Sequence, residues 1–286
     1  MNKVGGQAVI DGVVMIYNNK KAVATRNKNG KITFIKNEKI YKIPFLRGIL
    51  IIIENTISGI KTFNSPLNTN KDYEEDLIDK IFKKIFNKNS EKVFIYLSIF
   101  LSMILGFFVF IFIPTFICDI FLKYTKNIFI LNFIEGFLRI SILYLYMFLV
   151  SKINDIQDIY KYHGAEHKTI NCYENNLELT TENIIKLPKN HKRCGTNFLS
   201  IFMIVSIIVF SLFSWKDIFY RLLVRLISIP LVLSFSYEVF SIISNYDNTF
   251  TRIISIPGMI FQNITTKEPE STHIEVAIEA LKEVIK

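Results

Sequence analysis

The chain has 286 residues, of which half are hydrophobic and 26 are phenylalanine, and its mean hydropathy is +0.32. These values exclude an ordinary soluble domain and point to an integral membrane protein. The formal net charge of +9 fits lysine-rich flanks beside an anionic leaflet; membrane lipid is the expected partner, and nucleic acid is not, because no basic motif interleaved with aromatics occurs.

Residues 1–42 carry no apolar leader, so entry into the membrane through internal spans is expected. Short β-branched runs broken by glycines fill this segment: Val4-Gly5-Gly6-Gln7-Ala8-Val9-Ile10-Asp11-Gly12-Val13-Val14-Met15, then Ala22 to Arg26 and Lys31 to Ile35 around Asn27-Lys28-Asn29-Gly30. The last is a hairpin signal, and the segment reads as a small cytoplasmic β unit. Gly5, Gly6 and Gly12 suit tight turns or bulges, or a close approach of backbone to a ligand. Asp11 reads as a turn residue before it reads as a catalytic one.

Residues 43–92 read as interfacial or re-entrant helices. Ile43 to Ile60 is apolar but carries Arg47 and Glu54, which makes a poor span. After Asn64-Ser65-Pro66, the stretch Asp72 to Lys88 sets Leu77, Ile78, Ile81, Phe82, Ile85 and Phe86 opposite a charged face, the pattern of a helix lying on a membrane surface.

Residues 93–244 read as a four-helix membrane domain. Val93 to Cys118 is uncharged and long enough to span. Ile128 to Val150 carries Glu135 and Arg139 at i,i+4, read as an ion pair facing other helices, with a functional intramembrane site as the sharper alternative. Phe198 to Trp215 is the third span, and Leu226 to Ile243, broken by Pro230 and carrying Glu238, is the fourth. Lysine and arginine crowd the first 92 residues and the 151–197 loop, whereas the opposite loops hold Lys123 and Lys126, and Lys216, Arg221 and Arg225. The positive-inside rule then puts both termini in the cytoplasm, with the two arginines as its exception.

Residues 245–286 read as a cytoplasmic tail. Pro257-Gly258 opens a loop through Thr265 to Pro269, and Thr272 with Glu275 reads as a capping box for an amphipathic helix from Ile274 to Ile285 that needs a partner surface. The expected fold is mainly α: a polytopic membrane protein with about four transmembrane helices, a small N-terminal β unit and cytoplasmic amphipathic helices. The expected location is the bacterial cytoplasmic (inner) membrane, and a homo-oligomer stays open.

Three of the four histidines, His163, His167 and His191, fall in the 151–197 loop. His163, Glu166 and His167 form H-x-x-E-H. On a helix the two imidazoles sit one turn apart, about 5–6 Å between Cβ atoms, which suits two ligands of one metal ion. The same spacing is the inverted-zincin pattern, whose carboxylate serves as general base. The loop ends in His191-Lys192-Arg193-Cys194-Gly195-Thr196, so His191 or Cys194 can supply the third ligand; Glu174 and Glu238 are further oxygen candidates. Three protein ligands with an open position make a catalytic zinc site, four closed ones a structural site. Imidazole with thiolate favours zinc. The plainer alternatives are polar helix residues that bond backbone or lipid phosphate, and lipid-binding basic residues at 191–193. Cys172 reads as a packed small residue, and three scattered cysteines, Cys118, Cys172 and Cys194, make no disulfide framework.

Taken together, the segment Gly5 to Met15, Tyr162-His163-Gly164-Ala165-Glu166-His167-Lys168-Thr169-Ile170, His191 to Thr196, Ser236-Tyr237-Glu238, Pro257-Gly258 and Thr265 to Pro269 resemble the YqhQ-type family of bacterial membrane proteins. Asp11 stands where that family more often has glutamate, and Lys192 where it more often has proline. The family's function is unknown and its members are described as predicted metal-dependent enzymes. The resemblance therefore implies a metal site without naming a substrate. Two readings result: a zinc-dependent hydrolase with Glu166 as base acting on a peptide or a lipid-linked substrate, or a non-enzymatic scaffold or transport component whose histidines hold a structural metal or a polar network.

Overall fold

The computed structural model describes residues 4–18, 20–27, 30–37, 43–63, 90–213, 217–246 and 248–286. The surface helix expected at Asp72 to Lys88, the linker at 64–66 and the hairpin tip at 28–29 lie outside the described residues. The chain forms two compact units, one built from residues 1–68, 144–206 and 229–286, the other from 69–143 and 207–228.

The first unit opens with four strands, β1 (Val4–Val9), β2 (Gly12–Tyr17), β3 (Lys20–Asn27) and β4 (Gly30–Asn37), in an antiparallel meander of order β1-β2-β3-β4. Val9 pairs with Gly12 across the two-residue turn Ile10-Asp11, where Asp11 takes a φ of 54°. Asp tolerates that left-handed conformation, so the turn reading of Asp11 holds. Gly12 is required because a Cβ there would lie 2.3 Å from the Ala24 carbonyl oxygen on β3.

Ten helices follow among the described residues. Helix α1 (Leu46–Phe63) is succeeded by α2 (Ser90–Phe107), which passes through a π turn (Phe108–Phe112) into α3 (Ile113–Phe121). Pro114 lies in the first turn of α3; the wider π turn before it relieves the clash of its ring with a preceding carbonyl. Then come α4 (Ile128–Val150), α5 (Asn154–Glu174), the short α6 (Thr181–Ile185), α7 (Gly195–Ser211), α8 (Ile218–Asn245), α9 (Thr249–Thr265) and α10 (Ser271–Ile285). The stretches Tyr96–Phe121, Ile128–Val150 and Ile218–Asn245 are long and apolar enough to cross a membrane, and Gly195–Ser211 is a shorter apolar helix.

Four readings of the sequence change here. Helix α8 is unbroken at Pro230, as proline is tolerated in apolar helices where neighbours re-satisfy the freed carbonyl. It starts early enough that Arg221 and Arg225 lie in its first turns, not in a loop. In the second unit they are buried, Arg221 against Asp119 and Arg225 against Glu135, and Glu135 also pairs with Arg139 and accepts the Thr115 hydroxyl at 2.7 Å. Both Arg139 and Arg225 stack over the Phe210 ring. Helix α9 likewise runs through Pro257-Gly258. Gly258 is there for contact: a Cβ would fall 1.7 Å from Asn197 Oδ1 and 2.7 Å from Asn197 Cα. Finally, α10 starts at Ser271 behind Glu270, with no side-chain cap, so Thr272 and Glu275 form no capping box.

The amphipathic face of α10 finds its partner within the first unit. Ile274, Ala277, Ile278 and Leu281 join Val13 and Met15 of β2, Ala22 and Ala24 of β3, and Tyr162 and Ile170 of α5 in one buried cluster. Each fully buried Ile or Leu contributes about 1.5–3 kcal/mol. That cluster clamps α5, the helix bearing H-x-x-E-H, between sheet and tail.

Candidate metal centre

The H-x-x-E-H stretch is helical, as its spacing predicts. Helix α5 is separate from α4, because the chain turns at 151–153 before it starts. His163 and His167 therefore share one face, with ring centroids 4.4 Å apart.

What surrounds the rings fixes their tautomers. His163 Nδ1 lies 2.8 Å from the Thr265 carbonyl oxygen at the end of α9, and His167 Nδ1 lies 2.6 Å from the carbonyl oxygen of Lys189. A carbonyl only accepts, so both Nδ1 atoms donate and both neutral rings present a bare Nε2 lone pair. His163 Nε2 sits 3.2 Å from Cys194 Sγ, and His167 Nε2 is buried with no hydrogen-bond partner. One ring nitrogen from each histidine and Cys194 Sγ all lie within 4.8 Å of one another, and with both Nδ1 atoms tied to carbonyls, Nε2 is the nitrogen each ring has to offer. A tetrahedral zinc site with bonds of about 2.0–2.3 Å separates its N and S donors by roughly 3.5 Å, a spacing that lies inside the 4.8 Å span of this group. Ring N–H groups tied to backbone carbonyls are also the usual outer support of metal-binding histidines.

The loop before α7 brings Cys194, and not His191, into the group with His163 and His167. Gln262 of α9 grips His191 by its backbone, accepting from its N–H at 2.9 Å and donating to its carbonyl at 2.8 Å. Asn171 of α5 holds the Pro188 carbonyl at 2.8 Å, and Lys189 Nζ holds the Thr266 carbonyl at 3.0 Å. Held this way, the His191 ring turns to Glu174, with Nε2 3.3 Å from its carboxylate, and stands outside the three-donor group; Arg193 pairs with the same carboxylate. Burial and Lys192 press the His191 pKa down to about 4.

The Cys194 pKa is pulled in two directions and ends lowered. Burial works to raise its pKa, but the adjacent His167 imidazole and the Thr196 hydroxyl and N–H, 3.2 Å and 3.5 Å from Sγ, bring it below the usual thiol range. Burial lowers the pKa of His167, keeping it neutral and ligand-competent. Glu166 is 4% exposed, with Oε2 unpartnered. Burial, with the Cys194 charge adding and His163 opposing, pushes it up to about 8.

Glu166 also explains Gly6. A Cβ on that residue would lie 2.5 Å from Glu166 Oε1, so β1 can rest against the carboxylate only as glycine. Of the two readings of Gly6, the close approach is the one seen, although to a side chain. Gly6, Gln7 and Ala8 of β1, Ile51 and Ile52 of α1, His163, Glu166, Cys194 and Thr196 line a cavity of about 670 Å³ together with Phe198 and Phe240. This falls in the range of substrate pockets.

The other candidates lie elsewhere. Glu238 pairs with Arg47, whose Nε is 2.9 Å away, and accepts the Phe45 N–H at 3.0 Å. Cys172 is buried, with Sγ 3.3 Å from the Glu178 carbonyl, in keeping with a packed small residue. Sequence reasoning gave no site role to Thr265, Lys189 or Gln262. Thr265 stood in one of the quoted family stretches, but carbonyl donors and a backbone clamp leave no mark on residue type.

Residues 43–286 match the family model described as "Protein of unknown function (DUF1385)". The chain is 35% identical over 296 residues to "Uncharacterized protein YqhQ" of Bacillus subtilis (strain 168), covering 99% of this chain and 92% of that one. No solved structure matches it. The chain belongs to the DUF1385 family, the family of the Bacillus protein YqhQ.

Proposed function

We infer that this protein is a membrane-embedded zinc-dependent hydrolase whose site faces the cytoplasm, with His163, His167 and Cys194 as ligands and Glu166 as general base. The observation that carries it is the convergence of two tautomer-fixed Nε2 atoms on Cys194 Sγ, beside a carboxylate with a free oxygen, on the wall of a cavity. Bound there, a zinc ion would supply Lewis-acid polarisation of a carbonyl or phosphoryl oxygen and bring the pKa of water toward 7. Three protein donors would leave a tetrahedral ion one further position, the feature that separates a catalytic from a structural arrangement. Glu166 takes up a proton at Oε2; a dication nearby favours its ionised form and offsets the burial that holds its pKa high.

The membrane reading takes four spans, counting Gly195–Ser211 at roughly 25 Å beside the three longer stretches. Exposed Phe129, Phe133 and Phe137 on α4 supply a lipid-facing surface. The sequence placed Arg221 and Arg225 outside as unbalanced charges. Their burial against Asp119 and Glu135 removes the exception to the positive-inside argument, and both termini are assigned to the cytoplasm.

The test is Glu166→Gln expressed in a strain deleted for the protein. Zinc retained at wild-type stoichiometry with loss of complementation supports the hydrolase; full complementation by the zinc-loaded variant overturns it and leaves a structural metal site in a scaffold or transport component.

A further inference from the structure

The edge strand β1 borders the cavity, and its backbone has a definite direction. The two-residue turn makes Val9 and Gly12 a hydrogen-bonded pair, so by the alternation of an antiparallel ladder Gln7 and Gly5 also bond to β2. The N–H and C=O groups of Gly6 and Ala8 therefore point away from the sheet. No backbone bond to them is found among the described residues, and both residues line the cavity that holds His163, Glu166 and Cys194.

Edge strands are ordinarily guarded against pairing by lysine or proline. The sequence of the opposite edge, β4, contains Lys31 and Lys36, whereas β1 reads Val-Gly-Gly-Gln-Ala-Val, with neither charge nor proline. Gly6 and Gln7 are exposed. An unguarded edge inside a reaction cavity, facing Ile51, Ile52, Phe198 and Phe240, presents backbone bonding groups along one side and apolar walls along the other. Lipid chains have no use for the first of these.

The geometry points to an extended polypeptide with apolar side chains as the substrate, added to the outer edge of β1 as a further strand. Main-chain bonds to Gly6 and Ala8 give affinity, and alternate side chains enter the apolar part of the cavity. This rests on the hydrolase reading. Hydrolysis adds water across the amide: the water oxygen bonds to the carbonyl carbon, the C–N bond breaks, Glu166 passes one water proton to the leaving nitrogen, and the other moves from the new acid to the amine, yielding a carboxylate and an ammonium.

The experiment uses purified full-length, zinc-loaded protein in detergent and a library of apolar nonapeptides, the same library N-methylated at alternate amides, and dimyristoyl phosphatidylglycerol vesicles. A photo-crosslinking amino acid at Gln7 in the Glu166→Gln background reports peptide binding independently of turnover. Wild type is expected to cleave the plain library and to lose roughly tenfold in rate on the methylated one, and the crosslinking variant is expected to capture the plain library. Ala8→Pro removes only an outward N–H, which an edge strand tolerates; it is expected to lose a similar factor with zinc content unchanged. Cleavage of lipid but not peptide, or equal rates for Ala8→Pro and wild type, overturns the proposal while the hydrolase stands. Crosslinking without zinc or cleavage overturns the hydrolase instead, and absence of both crosslinking and cleavage by a zinc-loaded protein overturns the peptide assignment.

Discussion

Gly164, in the middle of the motif, gives the sharpest test of how the site is held. A Cβ there would lie 2.0 Å from the Lys267 carbonyl oxygen, more than an ångström inside normal contact, and a backbone atom cannot swing aside. In Gly164→Ala the 265–269 segment must move off α5, straining the Lys267 N–H bond to the Tyr160 carbonyl at 2.9 Å and the Thr265 carbonyl bond to His163 Nδ1 at 2.8 Å. Overpacking costs about 1–3 kcal/mol, two weakened bonds add about 1 kcal/mol each, and better helix propensity returns about 1 kcal/mol. The net is about 2–4 kcal/mol, a drop in Tm of roughly 4–16 °C for a chain of this size. Loss of the carbonyl that orients His163 is expected to weaken zinc roughly 10–100-fold. Thermal unfolding in detergent and zinc titration against a competing chelator measure both. Gly195→Ala, where nothing lies within 4 Å of the added Cβ, is the control. Wild-type Tm and zinc affinity in Gly164→Ala would refute the reasoning.

Glu135→Gln removes the carboxylate shared by Arg139 and Arg225 and is expected to destabilise the second unit by about 3–5 kcal/mol, read as a lower thermal midpoint in detergent; an unchanged midpoint contradicts the shared-carboxylate account. Gly258→Ala is expected to lower the midpoint through collision with Asn197, by about 1–3 kcal/mol. Cysteine placed at the exposed Glu178, in a chain whose three native cysteines are buried, is expected to be labelled from the cytoplasmic side; labelling from outside intact cells contradicts the orientation.

How far the sequence goes depends on the range of each interaction. His163, Glu166 and His167 were legible because their relation is local, one helical turn. The pairings of Arg221 with Asp119 and Arg225 with Glu135 span 102 and 90 residues, beyond any i,i+4 rule, so two buried arginines looked like loop cations. Pro257-Gly258 reads as a helix stop in water, but here the glycine admits Asn197 and the helix continues. The choice of Cys194 over His191 turns on the amide of Gln262 gripping a backbone from 71 positions away. The β unit was read from β-branched runs and glycine turns, whereas the orientation of its β1 edge emerged only with the register.

Metal analysis of the purified protein bears on the three-donor centre without any knowledge of substrate. One zinc per chain is expected under gentle purification, lost in His163→Ala, His167→Ala and Cys194→Ala and kept in His191→Ala. Absence of stoichiometric transition metal in the wild type, or loss with His191→Ala but not with Cys194→Ala, would contradict it.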